Sequence, residues 1–105
     1  MKVINALELK AWIDGKEDFQ LIDVREPSEY NAANIGGELI PLGTIPNNTH
    51  KISKDKKVVI HCRSGKRSAN AISFLEQNLG YTNLYNLEGG ILAYKELVDN
   101  SLNVI

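Results

Sequence analysis

The sequence has a single cysteine, Cys62, among its 105 residues. One cysteine cannot form a disulfide within the chain. Only His50 and His61 could join it as further soft ligands, so a cysteine-rich zinc site is excluded as well and we expect no metal. A lone thiol is typical of a reducing compartment. Any special role of Cys62 must therefore come from its reactivity or from its packing.

Long apolar runs are also missing. None approaches the roughly 20 apolar residues that a membrane-spanning helix needs. The first residues, MKVINALELKAWIDG, contain no apolar core and carry the charges of Glu8, Lys10 and Asp14, which is unlike a signal peptide. We therefore expect a cytoplasmic protein that makes no contact with a membrane.

The charges are nearly balanced. Twelve basic and 13 acidic residues give a formal net charge of −1. This balance gives no sign of the basic patch that nucleic acids or anionic membranes attract, so we expect no nucleic-acid partner. The length suits one core, and we expect residues 1–105 to form a single domain that acts as a monomer.

Short strands and helices are predicted to alternate along the chain. A helix is predicted over residues 6–14, because Asn5 and Glu8 have the spacing of a capping box and Gly15 follows. The predicted strands are Gln20–Asp23, Lys57–His61 and Leu84–Leu87, and further helices are predicted from Pro27 to about Ala33, over Ser68–Leu79 and over Ile91–Val98. This alternation predicts an α/β fold, in which helices cover both faces of a parallel sheet.

The segment CRSGKRS, from Cys62 to Ser68, follows the β-branched run of the second predicted strand. Ligands of open α/β sheets bind at the carboxyl ends of the strands, so this position places Cys62 at a binding edge. The helix predicted from Ser68 would direct its free N–H groups and positive dipole end at the loop. Gly65 permits a tight turn that presents amides inward. The segment therefore predicts an anion site around a reactive cysteine.

Three cations, Arg63, Lys66 and Arg67, lie within five positions of Cys62. With the amides they would favour the thiolate, and we expect a depressed pKa for Cys62. Positive charges at the start of a helix oppose the helix dipole, so a contribution to fold stability explains these cations poorly. The alternative interpretation, that Cys62 is an unreactive buried residue, is therefore the weaker one. The guanidinium of Arg67 is expected to bind the anion more strongly than the flexible Lys66, unless it braces the loop from outside.

Three motifs follow one another along the chain. Leu21–Tyr30 reads LIDVREPSEY, Cys62–Arg67 follows the pattern C-x-x-G-x-R, and Asn83–Ile91 reads NLYNLEGGI. Together they resemble the strand-and-turn signature, the active-site loop and the closing strand of rhodanese-like sulfurtransferases. The resemblance implies a three-layer α/β/α fold with a central parallel sheet of about four or five strands.

The resemblance also implies the chemistry. Cys62 would be the catalytic residue of a thiosulfate sulfurtransferase and would carry sulfur as a persulfide, without any cofactor. The residues that would bind the substrate and the persulfide are Arg63, Ser64, Gly65, Lys66, Arg67 and Ser68. Asp23 and Arg25 match an acidic-and-basic pair of the family and would support the site, either through a salt bridge that braces the loops or by contact with substrate. His61 matches no family role, and we interpret it as a strand-terminal residue.

The implied partners are a small anionic sulfur donor and, as alternatives, a protein donor or acceptor such as a desulfurase, thioredoxin or a ubiquitin-like sulfur carrier. Residues 33–43 and the cysteine loop are similar to rhodanese domains of adenylating enzymes for molybdopterin or thiamine synthesis. A sulfur-relay or interaction domain is therefore an alternative. A cysteine phosphatase is a remote one, because such enzymes need C-x5-R whereas Cys62 and Arg67 form C-x4-R, a smaller ring that suits one sulfur atom.

Overall fold

Strands and helices alternate along the whole chain in a computed structural model that describes residues 1–105. The strands are β1 (Lys2–Ile4), β2 (Phe19–Asp23), β3 (Glu38–Leu39), β4 (Lys57–His61) and β5 (Leu84–Leu87). The helices are α1 (Ala6–Asp14), α2 (Pro27–Ala32), α3 (Lys66–Leu79) and α4 (Gly90–Leu97), with short 3₁₀ helices at Leu42–Asn47 and Thr49–Lys51. No helix is both long and apolar enough to span a bilayer.

The five strands form one parallel sheet in the order β1-β5-β4-β2-β3. Apolar residues of α3 pack on one face, and those of α1 and α4 pack on the other. β4 lies at the centre, and its run Val58–Ile60 is fully buried because both faces of the sheet are covered. The expected three-layer α/β/α architecture is confirmed.

Local signals set the helix starts. The Asn5 side chain accepts a hydrogen bond from the Glu8 amide at 2.8 Å, and the Glu8 carboxylate accepts one from the Asn5 amide at 3.1 Å. This capping box confirms the helix predicted over residues 6–14. The prediction that α3 begins at Ser68 is wrong: α3 begins at Lys66, because Gly65 adopts a left-handed conformation (φ +107°) and ends the loop early.

The sequence does not predict β1, which forms one edge of the sheet. It pairs with β5, with Lys2 opposite Tyr85 and Ile4 opposite Leu87. Only Ile4 is buried, and Lys2 and Val3 are exposed. Three residues with one buried position are too few to show the period of two that identifies a strand.

Alternation along β4 directs its side chains to opposite faces of the sheet. Ile60 and Cys62 belong to the apolar cluster that contains α3, whereas Val59 belongs to the cluster beneath α1 and α4. In the neighbouring strand, Asp23 pairs with His61, so β2 and β4 end side by side. The segments that follow the two strands therefore meet at the carboxyl edge of the sheet.

Candidate active site

Four residues, Cys62–Gly65, connect β4 to α3 at this edge. The Ile91 amide of α4 donates to the Cys62 carbonyl oxygen at 2.9 Å, and the Leu92 amide donates to the Arg63 carbonyl oxygen at 3.2 Å. The first amides of a helix have no partner within it. The loop carbonyls supply these partners, which ties the cysteine loop to the start of α4.

Gly90 makes this close approach possible. A Cβ atom built on Gly90 would lie 2.4 Å from the Arg63 carbonyl oxygen, far inside van der Waals contact. Gly90 also has φ +62°, a conformation that other residues rarely adopt. The second glycine of the Gly-Gly motif is therefore needed so that α4 can begin against the loop.

The sulfur of Cys62 is surrounded by hydrogen-bond donors. Sγ accepts from the Gly65 amide at 3.1 Å and from the Ser68 amide at 3.4 Å, and it lies 3.4 Å from the Ser68 hydroxyl. Burial, which leaves Cys62 1% exposed, raises the pKa of the thiol. Hydrogen bonds from the Ser68 side chain and from the amides of Ser68, Gly65 and Ser64 outweigh burial, so the pKa of Cys62 lies below its ordinary value. The geometry favours a thiolate.

The three loop cations do not contact this sulfur. The guanidinium of Arg67 donates to both carboxylate oxygens of Glu29, at 2.6 and 2.9 Å. Arg63 and Lys66 are exposed, and Lys66 makes no ion pair. The hydrogen bonds to sulfur come from amides and a hydroxyl group, and Arg67 interacts with Cys62 only through space, by charge attraction that raises the pKa of Arg67.

The pair Arg67–Glu29 connects α3 to α2. Hydrogen bonding from Arg67 lowers the pKa of Glu29 to about 2, from an ordinary value of 4.5. Both terminal nitrogens of the guanidinium are engaged by this carboxylate. The fork that was expected to bind an anion is thus occupied by the protein itself, which favours the alternative that Arg67 braces the loop.

Asp23 and Arg25 form a second ion pair, which is completely buried. Arg25 donates to both carboxylate oxygens of Asp23, with Nη2 2.8 Å from Oδ2 and Nε 3.0 Å from Oδ1. The same Nη2 donates to the Ala33 carbonyl oxygen at 2.8 Å. Both side chains are 0% exposed, so neither reaches a substrate in this conformation. Of the two interpretations left open by the sequence, the geometry favours a brace between the loops.

His61 lies beside this pair. Its Nε2 is 3.5 Å from Asp23 Oδ2 and has no hydrogen-bond partner. Burial lowers the pKa of His61, which keeps the ring neutral. The ring makes no hydrogen bond to the Cys62 sulfur, in keeping with the interpretation of His61 as a strand-terminal residue.

The sequence analysis did not predict a part in the site for three residues near the loop: Glu29, Asn86 and Gly90. All three lie within or beside the matched motifs, but their partners are distant along the chain. Glu29 contacts a residue 38 positions away, and Asn86 contacts the loop across 21 positions. Periodicity and spacing carry no signal for such pairs.

Comparison with known proteins decides the family. Residues 5–97 match the model of the rhodanese-like domain. The chain belongs to the rhodanese-like domain family. It is 40% identical over 92 residues to a sulfurtransferase of Allochromatium vinosum, covering 87% of this chain and 85% of that protein. The crystal structure of a rhodanese-like domain protein from Staphylococcus aureus aligns with a TM-score of 0.84 at 35% identity, over 100% of this chain and 99% of that one.

A third relative is much longer than this rhodanese-like domain. The probable adenylyltransferase/sulfurtransferase MoeZ of Mycobacterium tuberculosis is 35% identical over 94 residues, which cover 87% of this chain but 24% of MoeZ. The family and the names of its sulfurtransferase members support a sulfurtransferase in general.

The hydrogen bonds to Cys62 predict its titration. We expect the thiol to titrate below the value of about 8.5 for a free cysteine, as measured by iodoacetamide alkylation against pH. Ser68→Ala should raise the midpoint, because a hydrogen bond to the thiolate is lost. Ser73→Ala, on the same helix, is the matched control and should leave it unchanged. A wild-type midpoint at or above that of a free thiol contradicts this account of the site.

The Arg67–Glu29 pair predicts a difference in stability between two loop variants. Arg67→Ala should lower the melting temperature by about 4–8 °C, for a pair worth about 1 kcal/mol. Lys66→Ala should change stability by less than about 0.5 kcal/mol, because this exposed side chain has no partner. The carboxylate of Glu29 supports folding above pH 4.5, and this support is lost as the pH falls towards 2, so the gap between wild type and Arg67→Ala should narrow over that range. Equal melting temperatures for the two variants at neutral pH would show that the pair is no brace.

Proposed function

We propose that this rhodanese-like domain moves sulfane sulfur from a donor such as thiosulfate to a thiophilic acceptor through a persulfide on Cys62. The observation that carries the proposal is the pair of hydrogen bonds that Sγ accepts from the Gly65 amide, at the end of the four-residue loop, and from the Ser68 amide, in the first turn of α3. Both lie at the carboxyl edge of the sheet. A thiolate held in this way is a nucleophile. The same amides can hold the negative charge of a persulfide.

Two displacements balance the reaction. In the first, the Cys62 thiolate attacks the outer sulfur of thiosulfate; an S–S bond forms to Sγ, the S–S bond of thiosulfate breaks, and sulfite leaves with the electron pair. In the second, a nucleophile such as cyanide attacks the outer persulfide sulfur, a C–S bond forms, and the thiolate returns as leaving group. Neither step needs a metal, a cofactor or an external oxidant or reductant.

The charges around the loop suit an anionic donor. Arg63 and Lys66 are exposed beside the buried sulfur, while Arg67 is neutralised by Glu29. Exposed cations raise the local concentration of anions, and salt screens this effect. They would therefore increase the rate at which an anionic donor binds more than the rate of the chemical step. A lone reactive thiol fits a reducing compartment, and on that ground we place the domain in the cytoplasm.

Similarity to MoeZ favours a second candidate, a sulfur relay. This chain matches about a quarter of that longer protein, whose name combines adenylyltransferase and sulfurtransferase. In a relay the acceptor would be a protein, for which we propose a ubiquitin-like sulfur carrier, and the donor would be the persulfide of a desulfurase. The chemistry on Cys62 would be the same, and only the partners would differ.

The reaction class is tested with thiosulfate and cyanide. The wild-type protein should form thiocyanate, and Cys62→Ser should form none, because a hydroxyl group in the same place is a far weaker nucleophile at neutral pH and does not form a persulfide. Aryl phosphates should stay intact, since C-x4-R leaves a small ring whose arginine is engaged by Glu29.

Each other outcome changes the proposal in a defined way. Turnover of aryl phosphate without thiocyanate formation would overturn it in favour of a phosphatase. Loading of Cys62 from a desulfurase persulfide but not from thiosulfate would remove thiosulfate as donor and support the relay.

A further inference from the structure

Asn86 lies beside the cysteine loop, on the strand next to β4. It is the third residue of β5 and pairs with Ile60, two positions before Cys62. Alternation puts Leu84 of β5 in the same apolar cluster as Ile60 and Cys62, so Asn86 shares that face of the sheet. An asparagine there is unexpected for a strand packed beneath a helix, because its amide must find hydrogen-bond partners.

Its two partners are Gly65 and Ser68, whose amides lie 3.1 and 3.4 Å from the sulfur. Nδ2 of Asn86 donates to the Gly65 carbonyl oxygen at 3.2 Å. Oδ1 accepts from the Ser68 hydroxyl at 2.6 Å. The Gly65 carbonyl oxygen, at 3.1 Å, and Sγ, at 3.4 Å, also lie within reach of this hydroxyl, so its single hydrogen is shared among three acceptors, of which Asn86 Oδ1 is the nearest.

We propose that Asn86 is a positioning residue of the active-site loop, whose amide holds Gly65 and Ser68 so that their backbone N–H groups face the Cys62 sulfur. Gly65 is the residue most in need of a tether, because a glycine at φ +107° has many other conformations within reach. From its place in β5, the side-chain amide of Asn86 holds the Gly65 carbonyl oxygen through Nδ2 and the Ser68 hydroxyl through Oδ1.

The inference rests on the proposed function, in which Cys62 is the sulfur carrier, but the property it predicts is the pKa of the Cys62 thiol. Alkylation by iodoacetamide needs no sulfur donor. A failure of Asn86 to affect the thiolate is therefore distinguishable from a failure of sulfur transfer.

The residue that precedes β5 offers a matched control. Asn83, immediately before β5, also donates twice to backbone oxygens, to Ser53 at 2.8 Å and to Lys56 at 2.6 Å. These bonds lie at the opposite end of the strand, where they hold the segment before β4. Asn83→Ala therefore removes a comparable set of hydrogen bonds without touching the loop.

The test measures the alkylation midpoint and the melting temperature of Asn86→Ala, Asn86→Thr and Asn83→Ala in the full chain. Threonine suits a strand and keeps the protein folded if alanine does not, but it lacks the amide. We expect both Asn86 variants to raise the alkylation midpoint by about 0.4–1 pH unit, the equivalent of one lost hydrogen bond to the thiolate. Asn83→Ala should lower the melting temperature and leave the midpoint unchanged.

Two outcomes would overturn the proposal. If the Asn86 variants melt earlier but keep the wild-type midpoint, the residue only stabilises the sheet. If Asn83→Ala shifts the midpoint as much as the Asn86 variants do, the shift reports general loosening of the fold and not the position of Gly65 and Ser68.

Discussion

The hydrogen bonds between the cysteine loop and the first turn of α4 determine how the rest of the site is arranged. The carbonyl groups of Cys62 and Arg63 point to α4, where the Ile91 and Leu92 amides bind them. A peptide unit is planar and trans, so the N–H that follows each carbonyl points the opposite way. The Ser64 amide, which shares its peptide unit with the Arg63 carbonyl, is accordingly among the groups that lower the pKa of Cys62. Anchoring the Arg63 carbonyl outward thus turns the Ser64 amide inward to the sulfur.

Some charged residues of this rhodanese-like domain form ion pairs that hold the site together, and others are exposed to solvent. The Asp23–Arg25 pair is fully buried, and the Arg67–Glu29 pair links two helices at the edge of the site. A buried ion pair adds little net stability, since desolvation offsets attraction, but it fixes geometry because breaking one partner is costly. Arg63 and Lys66 make no ion pair with a carboxylate side chain and stay at the surface, where Arg63 donates to the Ile105 carbonyl oxygen at 3.0 Å. Fixed pairs thus shape the site, while these two cations remain exposed.

Local features of the sequence predicted the fold and the position of the cysteine. The capping box of α1 and the β-branched run of β4 act within a few residues, and both elements have their predicted bounds. The three family motifs predicted the parallel sheet and the cysteine loop that follows one of its strands. What the sequence did not predict depends on contacts between distant segments. β1 is recognisable only through its pairing with β5, and the partner of Arg67 lies on another helix. The short loop follows from the backbone conformation of Gly65, which the sequence permits but does not specify.

The central claim is that Cys62 carries sulfur as a persulfide, and intact-protein mass spectrometry with peptide mapping tests it most directly. The protein is incubated with thiosulfate and, in parallel, with a cysteine persulfide donor, and is then analysed before and after addition of cyanide. The account predicts that the peptide containing Cys62 gains the mass of one sulfur atom, that cyanide removes it, and that Cys62→Ser gains none. A Cys62 thiol that iodoacetamide alkylates but that takes up no sulfur from either donor would contradict the account.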